Sequence, residues 1–278
     1  MLTRFAPSPT GFLHLGHLLN AVAVWTLAMR AGGRVRLRIE DHDRQRARPE
    51  FERAILDDLE WLGFRPDAPA IDEFRAGPCD GRQSDHPERY ESALASLASA
   101  AHVYGCACSR REILDRGATT EADGTLRYDG HCRNRGLPLT AGVGVRVVME
   151  RGGESFDDGW MGPQRQDPSE QCGDVLVRDR RGNWTYQFAV VVDDRHEGIT
   201  DVIRGRDLLA STGRQIRLAR LLGRERPPRF HHHPLILGAD GEKLSKSRGD
   251  DAVRELRASG ATPAEAIARA TALASWTP

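Results

Sequence analysis

The chain has 278 residues, of which 39% are hydrophobic and 29% are charged, with 40 basic and 40 acidic residues. This length can bury a sizeable core, either as one large domain with an insertion or as two smaller domains. No apolar run approaches a membrane span and the first residues lack an export-signal pattern, so we expect a cytoplasmic protein. Because the net charge is zero, a nucleic-acid partner would have to be met by a local arginine-rich surface.

The first hundred residues show the alternation of strands and helices that is typical of a nucleotide-binding α/β core. Residues 1–6 and 35–39 are predicted strands, and residues 18–29, 49–62 and 87–101 are predicted helices. Gly32 and Gly33 end the first helix and Gly63 ends the second. The order strand, helix, strand, helix predicts a parallel sheet.

From about residue 103 to 184 the chain becomes glycine-rich, with short apolar alternations. We interpret this stretch as a subdomain inserted into the core. A hairpin turn at Gly182-Asn183 is predicted to lead into a core strand at 186–192. The remaining predictions are a helix at 207–222, a strand at 235–237 and a last helix at 264–275, which the capping box Thr262-Pro263-Ala264-Glu265 opens.

Two histidines flank a glycine before the first predicted helix, in the order His14, Gly16, His17. They stand at or just before a helix N-terminus, where free N–H groups and the helix dipole favour anions. Gly16 would let a nucleotide approach the main chain closely. Taken alone, this pattern is compatible with a helix cap, a fragment of a metal site or a phosphate site.

The chain contains only two lysines, Lys243 and Lys246, both within the stretch Lys243-Leu244-Ser245-Lys246-Ser247. Lysine offers a compact, mobile charge where arginine offers a planar fork, and a moving polyphosphate is one ligand that suits it. The stretch follows a Gly-Ala-Asp-Gly turn, and ligand contacts concentrate in such loops. The alternative is a surface loop with two solvated lysines.

The two motifs, in this order and about a domain apart, resemble the signature sequences of class I aminoacyl-tRNA synthetases. Four further segments resemble the glutamyl subgroup: Arg4 to Gly11 (RFAPSPTG), Arg38 to Asp41 (RIED), Tyr186 with Val190 to Asp194 (VVVDD), and Val202 to Gly205 (VIRG). The resemblance implies a Rossmann-like catalytic core with an inserted acceptor-binding subdomain.

The chain ends 31 residues after Ser247, which is too few for a separate anticodon-binding domain. The resemblance is therefore to a truncated paralogue of the glutamyl enzymes, which attaches glutamate to the queuosine base in the anticodon of tRNA(Asp). The sequences Arg206 to Leu209 and Tyr128 to Arg133 also match the paralogue. The implied domains are the first half of the core at 1–102, the insertion at 103–184, the second half of the core at 185–248 and a helical segment at 249–278.

Five cysteines without an export signal argue against a disulfide framework. From spacing alone, Cys106 and Cys108 are equally compatible with a metal site and with small buried thiols. The resemblance implies a structural zinc site with the ligands Cys106, Cys108, Tyr128 and Cys132. Tyrosine is an unusual ligand, and His131 is near in sequence. Cys79 and Cys172 are interpreted as structural, with Cys172 as a substitute ligand.

The resemblance also implies the residues that bind substrates. The catalytic residues would be His14, His17, Lys243 and Lys246, with ATP bound by Gly16, His17 and Lys246. Glutamate would be bound by Arg4, Phe5, Ala6, Pro7, Ser8, Glu40, Tyr186 and Arg204. Mg²⁺ and Zn²⁺ are the expected metals, and queuosine-containing tRNA(Asp) is the expected partner of a monomeric enzyme. Without the resemblance, Glu40-Asp41 would be a solvated strand end and Tyr186 a half-buried core aromatic.

Two departures and three alternatives stand beside this interpretation. Arg195 follows Asp194 where the family often has histidine, and His231-His232-His233 looks like a metal site, although we interpret it as the start of the strand at 235–237. The alternatives are a short glutamyl-tRNA synthetase that charges tRNA(Glu), a small-molecule nucleotidyltransferase and a non-catalytic relative. A non-catalytic relative would be expected to have lost charges from one of the two signatures. This chain has kept both histidines and both lysines, which argues for a working enzyme.

Overall fold

The computed structural model describes residues 1–121, 123–237, 252–274 and 276. The predicted phosphate-binding lysines, Lys243 and Lys246, lie outside the described residues. The chain forms two compact units. Unit 1 comprises Met1–Asp85, Ile199–Arg206 and Phe230–Pro278, and unit 2 comprises His86–Gly198 and Asp207–Arg229. The predicted insertion at 103–184 falls within the residue range of unit 2.

The strands and helices of the described residues are as follows. The strands are β1 (Leu2–Phe5), β2 (Arg34–Leu37), β3 (Val103–Cys106), β4 (Gly144–Val147), β5 (Glu154–Asp158), β6 (Gly162–Gln166), β7 (Val175–Arg178), β8 (Asp201–Gly205) and β9 (Arg229–His233). The helices are α1 (Leu15–Arg30), α2 (Pro49–Leu62), α3 (Ile71–Ala76), α4 (Pro87–Ser99), α5 (Arg110–Asp115), α6 (Pro168–Gln171), α7 (Tyr186–His196), α8 (Thr212–Leu221), α9 (Val253–Ala258) and α10 (Pro263–Leu273). None of these helices is both long and apolar enough to cross a membrane.

Unit 1 is built on a parallel pair of strands joined by a helix. β1 pairs with β2 in parallel, from Leu2 opposite Arg34 to Phe5 opposite Leu37, and α1 forms the crossover between them. β8 lies beside β1, because the main-chain N–H of Thr200 donates to the carbonyl of Leu2. The parallel pairing that the sequence predicts is confirmed. It places the segments that follow β1 and β2 at one edge of the sheet, where open α/β sheets bind ligands.

Unit 2 contains an antiparallel sheet in the order β3, β4, β7, and a β5–β6 hairpin. Helices α4, α7 and α8 pack with this sheet around one apolar core, whose buried members include Tyr90, Leu97, Val145, Val177 and Phe188. A smaller buried cluster surrounds the three cysteines of the predicted zinc site. Most predicted elements lie within a few residues of the observed ones, and the two predicted helix signals at Gly63 and Thr262 are confirmed.

Two predicted strands are wrong. The chain from Tyr186 to His196 is the helix α7, and every residue from Phe188 to Asp194 is buried. A short, continuous apolar run does not distinguish a buried strand from a buried helix, because neither periodicity is visible in it. The strand predicted at 235–237 instead precedes Pro234, as β9. Proline has no N–H to donate to a strand ladder, which is consistent with this boundary.

Candidate active site and metal centre

The two histidines of the first motif form the N-terminal cap of α1. His14 is the cap residue, and its Nδ1 accepts a hydrogen bond of 3.0 Å from the Gly16 N–H. The His17 Nδ1 accepts a 3.2 Å bond from the His14 N–H, and the ring centroids lie 3.9 Å apart. An acceptor Nδ1 on a neutral imidazole puts the proton on Nε2. Both rings are therefore Nε2–H donors at the positive end of a helix, as phosphate binding requires.

Gly16 is needed by the cap itself. A Cβ at this position would lie 2.9 Å from the His14 Cε1 and 3.1 Å from its Nδ1. Because such contacts are too short, any larger residue would displace the His14 ring. The sequence suggested that Gly16 makes room for a nucleotide, and that role stays a prediction. In the structure, the missing side chain at Gly16 makes room for the His14 ring.

We expect Gly16→Ala to lower the rate of the ATP-dependent step that the resemblance implies, by about 100-fold if the ring moves by an ångström. Stability should hardly change, because the helix propensity gained, about 1 kcal/mol, offsets a lost cap of similar size. Thermal unfolding together with pyrophosphate exchange would check this. Ala21→Gly in the same helix is the matched control, since it should cost stability and leave the rate alone. An unchanged rate in Gly16→Ala would contradict the role of the cap.

The segments after β1 and β2 run side by side in unit 1. The Arg38 N–H donates to the Phe5 carbonyl, and the Glu40 N–H donates to the Pro7 carbonyl at 3.0 Å. The alternative of a solvated strand end at Glu40 is wrong, because Glu40 is only 5% exposed and Asp41 only 6%. The carboxylate of Glu40 lies 3.6 Å from the buried guanidinium of Arg38. The predicted ligands Arg4, Ser8 and Glu40 are thus carried at one edge of the sheet.

Arg204, the predicted partner of the substrate carboxylate, is buried on β8. Its Nε donates to the His232 Nε2 at 2.9 Å, and its guanidinium lies 5.4 Å from the centre of the Phe230 ring. His232 therefore fixes the orientation of this guanidinium from the neighbouring strand β9. The sequence analysis named His232 only as part of the triple-histidine run and did not find this role. The contact depends on β8 lying beside β9, which no local pattern in the sequence indicates.

The three consecutive histidines have separate partners. His231 Nε2 lies 3.3 Å from an Asp201 oxygen, and His233 Nε2 lies 3.2 Å from the Asn20 side-chain oxygen. With His232 on Arg204, the three rings serve three different contacts within unit 1. These contacts agree with interpreting the run as part of a strand, although the strand is β9 rather than the predicted one.

Tyr186 belongs to unit 2, as the first residue of α7, and packs against the apolar core of that unit. Its predicted contact with glutamate stays a prediction. On the same helix, Asp193 is buried and accepts a hydrogen bond from the Tyr90 hydroxyl. Arg195 is exposed in the last turn, where a positive charge suits the helix dipole.

The cysteines predicted to bind zinc converge on one tyrosine. The sulfur atoms of Cys106, Cys108 and Cys132 lie within 4.8 Å of one another. The Tyr128 Oη lies 3.3 Å from the Cys106 Sγ and 3.5 Å from the Cys108 Sγ, and it accepts a hydrogen bond from the Cys132 N–H at 3.0 Å. We call these four residues the thiol cluster. Three sulfurs and one oxygen at this spacing fit a closed four-ligand zinc site, in which thiolates are the usual donors.

Two arginines, which the sequence analysis did not single out, offset negative charge at the thiol cluster. The Arg146 Nε donates to the Cys106 Sγ at 3.3 Å, and its guanidinium lies 3.6 Å from the centre of the Tyr128 ring. Arg116 donates to the Cys108 Sγ at 3.5 Å. Three thiolates carry more negative charge than Zn²⁺ neutralises, so these cations favour the metal-binding state.

The thiols of the cluster differ in acidity. Burial raises the pKa of Cys132, but hydrogen bonds from Tyr128, the Ala107 main chain and the other two cysteines outweigh it and lower the pKa to about 7. Burial raises the pKa of the Cys108 thiol. Burial and the neighbouring thiols raise the pKa of the Tyr128 phenol. Of these two thiols, Cys132 therefore ionises more readily than Cys108.

The alternative ligands lie apart from the thiol cluster. The Cys172 Sγ donates to the carbonyls of Pro168 and Gly173, and burial raises the pKa of this thiol to about 11. His131 is exposed, with its Nε2 3.4 Å from an Arg135 nitrogen. Among the described residues, the group that could hold a metal contains Cys106, Cys108 and Cys132, and neither alternative.

The sequence as a whole matches a known family. The model of the catalytic domain of class I tRNA synthetases (E and Q) matches residues 1–278. The chain belongs to this family of class I tRNA synthetases. The parallel β1–α1–β2 unit and the histidine cap at the edge of its sheet are consistent with that assignment.

Among curated proteins, the chain is similar to several named glutamyl-Q tRNA(Asp) synthetase. The protein from Ralstonia nicotianae is 46% identical over 258 residues, which is 90% of this chain and 78% of the relative. The protein from Rhodobacter capsulatus is 39% identical over 284 residues, which is 95% of this chain and 98% of the relative.

Among solved structures, the chain is similar to the glutamate-tRNA synthetase from Elizabethkingia anophelis, with a TM-score of 0.75 and 31% identity. The match covers 90% of this chain and 53% of the other, so the chain spans about half the length of that enzyme. The methionyl-tRNA synthetase from Mycobacterium tuberculosis is 14% identical with a TM-score of 0.53, and this likeness concerns the fold alone.

Proposed function

We propose that the chain activates glutamate with ATP and transfers it to the queuosine base in the anticodon of tRNA(Asp). The observation that carries this proposal is the similarity, at 39% to 46% identity over most of the chain, to relatives named for this acceptor. The histidine cap and the buried arginine of β8 support it, because both suit the activation of an acidic amino acid.

In the first step, the α-carboxylate of glutamate attacks the α-phosphorus of ATP. A bond forms between carboxylate oxygen and phosphorus, the bond to pyrophosphate breaks, and glutamyl-adenylate remains. Protein groups assist such a transfer by orientation and by stabilising negative charge. His14 and His17 donate from Nε2 to phosphate oxygens, and Lys246, with Lys243, follows the leaving pyrophosphate. Mg²⁺ bound with ATP would neutralise part of the phosphate charge.

Glutamate is selected by charge at both ends. Arg204, with Arg4 and Tyr186, binds the side-chain carboxylate. Glu40 and the segment from Arg4 to Ser8 bind the polar end of the amino acid, and Glu40 supplies the anion for its α-ammonium group. Because Phe5 is buried and its ring packs 5.5 Å from that of Trp25, Phe5 contributes through its main chain. His232 holds the Arg204 fork in one orientation, which favours a planar carboxylate.

Tyr186→Phe is expected to lower kcat/KM for glutamate by about thirtyfold, or about 2 kcal/mol, because a hydrogen bond to a charged group is lost. The melting temperature should hardly change, since the ring still packs on the core. Pyrophosphate exchange against glutamate concentration, with and without the acceptor tRNA, measures the effect. Tyr104→Phe is the control: it removes a hydroxyl that donates to Asp174 at 2.6 Å, and should cost stability rather than affinity for glutamate. An unchanged kcat/KM in Tyr186→Phe would make Tyr186 a core residue only.

In the second step, a hydroxyl of the modified base attacks the carbonyl carbon of the adenylate, and AMP leaves. The insertion at 103–184 would contact the acceptor, and zinc held by Cys106, Cys108, Tyr128 and Cys132 would fix the fold of that insertion. The thiol cluster fits this structural role because its members are mostly buried and surrounded by apolar residues.

The test is transfer of labelled glutamate, with ATP and Mg²⁺, to three purified acceptors: tRNA(Asp) with queuosine, tRNA(Asp) without it, and tRNA(Glu). Label on queuosine-containing tRNA(Asp) alone is expected. Label on tRNA(Glu) would instead indicate a short enzyme of the aminoacylating type. Pyrophosphate exchange without label on any acceptor would leave glutamate activation standing and overturn the proposed acceptor.

A further inference from the structure

A cavity in unit 2 contains a buried arginine whose side-chain N–H groups make no hydrogen bond within the described part of the chain. The cavity has a volume of about 420 Å³ and lies between the thiol cluster and the start of α8. Arg214, on α8, lines it and is only 1% exposed. Among the described residues, none of the Arg214 side-chain nitrogens makes a hydrogen bond. We call this space the Arg214 cavity.

Among the residues that the structure describes, Arg214 has a counter-ion but no hydrogen-bond acceptor. Its NH1 lies 3.1 Å from the Asp123 Oδ2, which is an ion-pair distance with poor hydrogen-bond geometry. The same oxygen accepts a 2.6 Å bond from the Ser211 hydroxyl, and the other oxygen accepts one from the Thr125 N–H. Asp123 therefore balances the charge of Arg214 without satisfying its N–H groups. Leaving buried donors unsatisfied costs free energy, which a bound acceptor would recover.

Charged groups of both signs line the Arg214 cavity. Arginines 110, 146, 180 and 214 line it together with aspartates 123, 174 and 179 and the thiols of Cys106 and Cys108, and Arg146 already donates to Cys106. Asp174 accepts both hydrogen bonds of Arg133 and one from Tyr104. Asp179 accepts bonds from the Arg181 and Asn183 main chain in its own turn. Asp174 and Asp179 are thus engaged by groups other than Arg214, so the N–H groups of Arg214 are the donors here that an anionic acceptor would satisfy.

The size and walls of the cavity indicate which anion. A phosphate group alone is much smaller than 420 Å³, which lies within the range of small-molecule pockets. Apolar side chains also line it, among them Ile113, Leu126, Val175 and Leu176. A guanidinium fork binds phosphate in bidentate fashion, and apolar walls accept a base or a ribose face.

We infer that the Arg214 cavity binds one nucleotide unit, with its phosphate on Arg214 and its nucleoside against the apolar wall. The unit belongs either to an RNA strand or to a free mononucleotide, because the chemistry is the same. The inference does not depend on the proposed glutamate transfer. The predicted ATP-binding residues that the structure describes, Gly16 and His17, belong to unit 1, whereas the whole lining of this cavity belongs to unit 2.

The test titrates the protein with uridine 5′-monophosphate, inorganic phosphate and a single-stranded uridine tetramer by calorimetry. Wild type should bind the mononucleotide, and Arg214→Met should weaken binding by about thirtyfold because the charged fork is lost. Arg214→Lys, which keeps the charge and loses the fork, should give an intermediate affinity. Leu176→Trp fills the cavity without changing a charge, so it tests the site even if Arg214→Met fails to fold. Arg111→Met, at an arginine that does not line the cavity, is the control.

Weaker binding in both cavity variants and unchanged binding in the control would support the inference. Tighter binding of the tetramer than of the mononucleotide would assign the site to an RNA strand, and the reverse to a free nucleotide. Three results would overturn the inference. They are no binding of the mononucleotide to wild type, equal binding of the mononucleotide to wild type and to both cavity variants, or binding of phosphate as tight as that of the mononucleotide. Glutamate-dependent pyrophosphate exchange by wild type is measured in parallel, so failure of the proposed function is seen separately.

Discussion

Lys246→Ala is expected to slow glutamyl-adenylate formation by about 3 kcal/mol, or roughly 100-fold to 200-fold, in single-turnover experiments. The ammonium group would stabilise charge that develops on the leaving pyrophosphate, so its loss should lower the rate of chemistry more than the affinity for ATP. The prediction rests on the motif, because Lys246 lies outside the described residues.

Arg248→Ala is the matched control for Lys246, since it removes a cation from the same stretch to which the motif assigns no role. It should leave the single-turnover rate within a few-fold of wild type. Lys246→Arg separates charge from shape, and we expect it to recover only part of the rate, because the guanidinium is planar and the ammonium compact. A wild-type rate in Lys246→Ala would remove Lys246 from the catalytic residues.

Cys132→Ser is expected to abolish tight zinc binding and to lower the free energy of unfolding by about 4 kcal/mol, the size of effect that follows loss of a structural metal. For a chain of this size the melting temperature should fall by about 10 °C. Cys132 is completely buried, so its replacement leaves a ligand position that solvent cannot readily fill. Metal analysis of the purified protein and calorimetry measure the two effects.

Two variants make the zinc prediction specific. Cys172→Ser changes a buried thiol of the same unit outside the thiol cluster, and it should keep full zinc content. Tyr128→Phe keeps the ring beneath Arg146 and removes only the hydroxyl, so it should weaken zinc binding without abolishing it. Wild-type protein that lacks zinc, and is as stable as Cys132→Ser, would refute the metal site.

Local signals in the sequence predict many elements of unit 1 and place the two histidines at the start of α1. The cap at His14 and the ends of α2 and α10 depend on residues next to one another in the chain, so pattern and capping rules find them. The assignment failed for Tyr186 to Val192, where burial on all sides removes the periodicity that separates a helix from a strand. The helical conformation of α7 therefore follows from its burial in the tertiary structure and not from local propensity.

The partners of the site residues could not be predicted from the sequence, because they come from distant parts of the chain. His232 holds Arg204 across two strands, and Arg146 reaches Cys106 from a neighbouring strand. Neither pair has a local pattern. The thiol cluster itself was indicated by resemblance to a family rather than by spacing, and the structure adds the distances that make four ligands around one ion possible.

The histidine cap ties the start of α1 to the protonation state of two side chains. Each Nδ1 accepts a main-chain N–H, so each cap bond exists only while that nitrogen carries no proton. Unwinding of the first turn would release both Nδ1 atoms, and the two rings, 3.9 Å apart, would lose the fixed direction of their Nε2–H groups. The first turn of α1 and the tautomer of the two rings therefore form one structural unit.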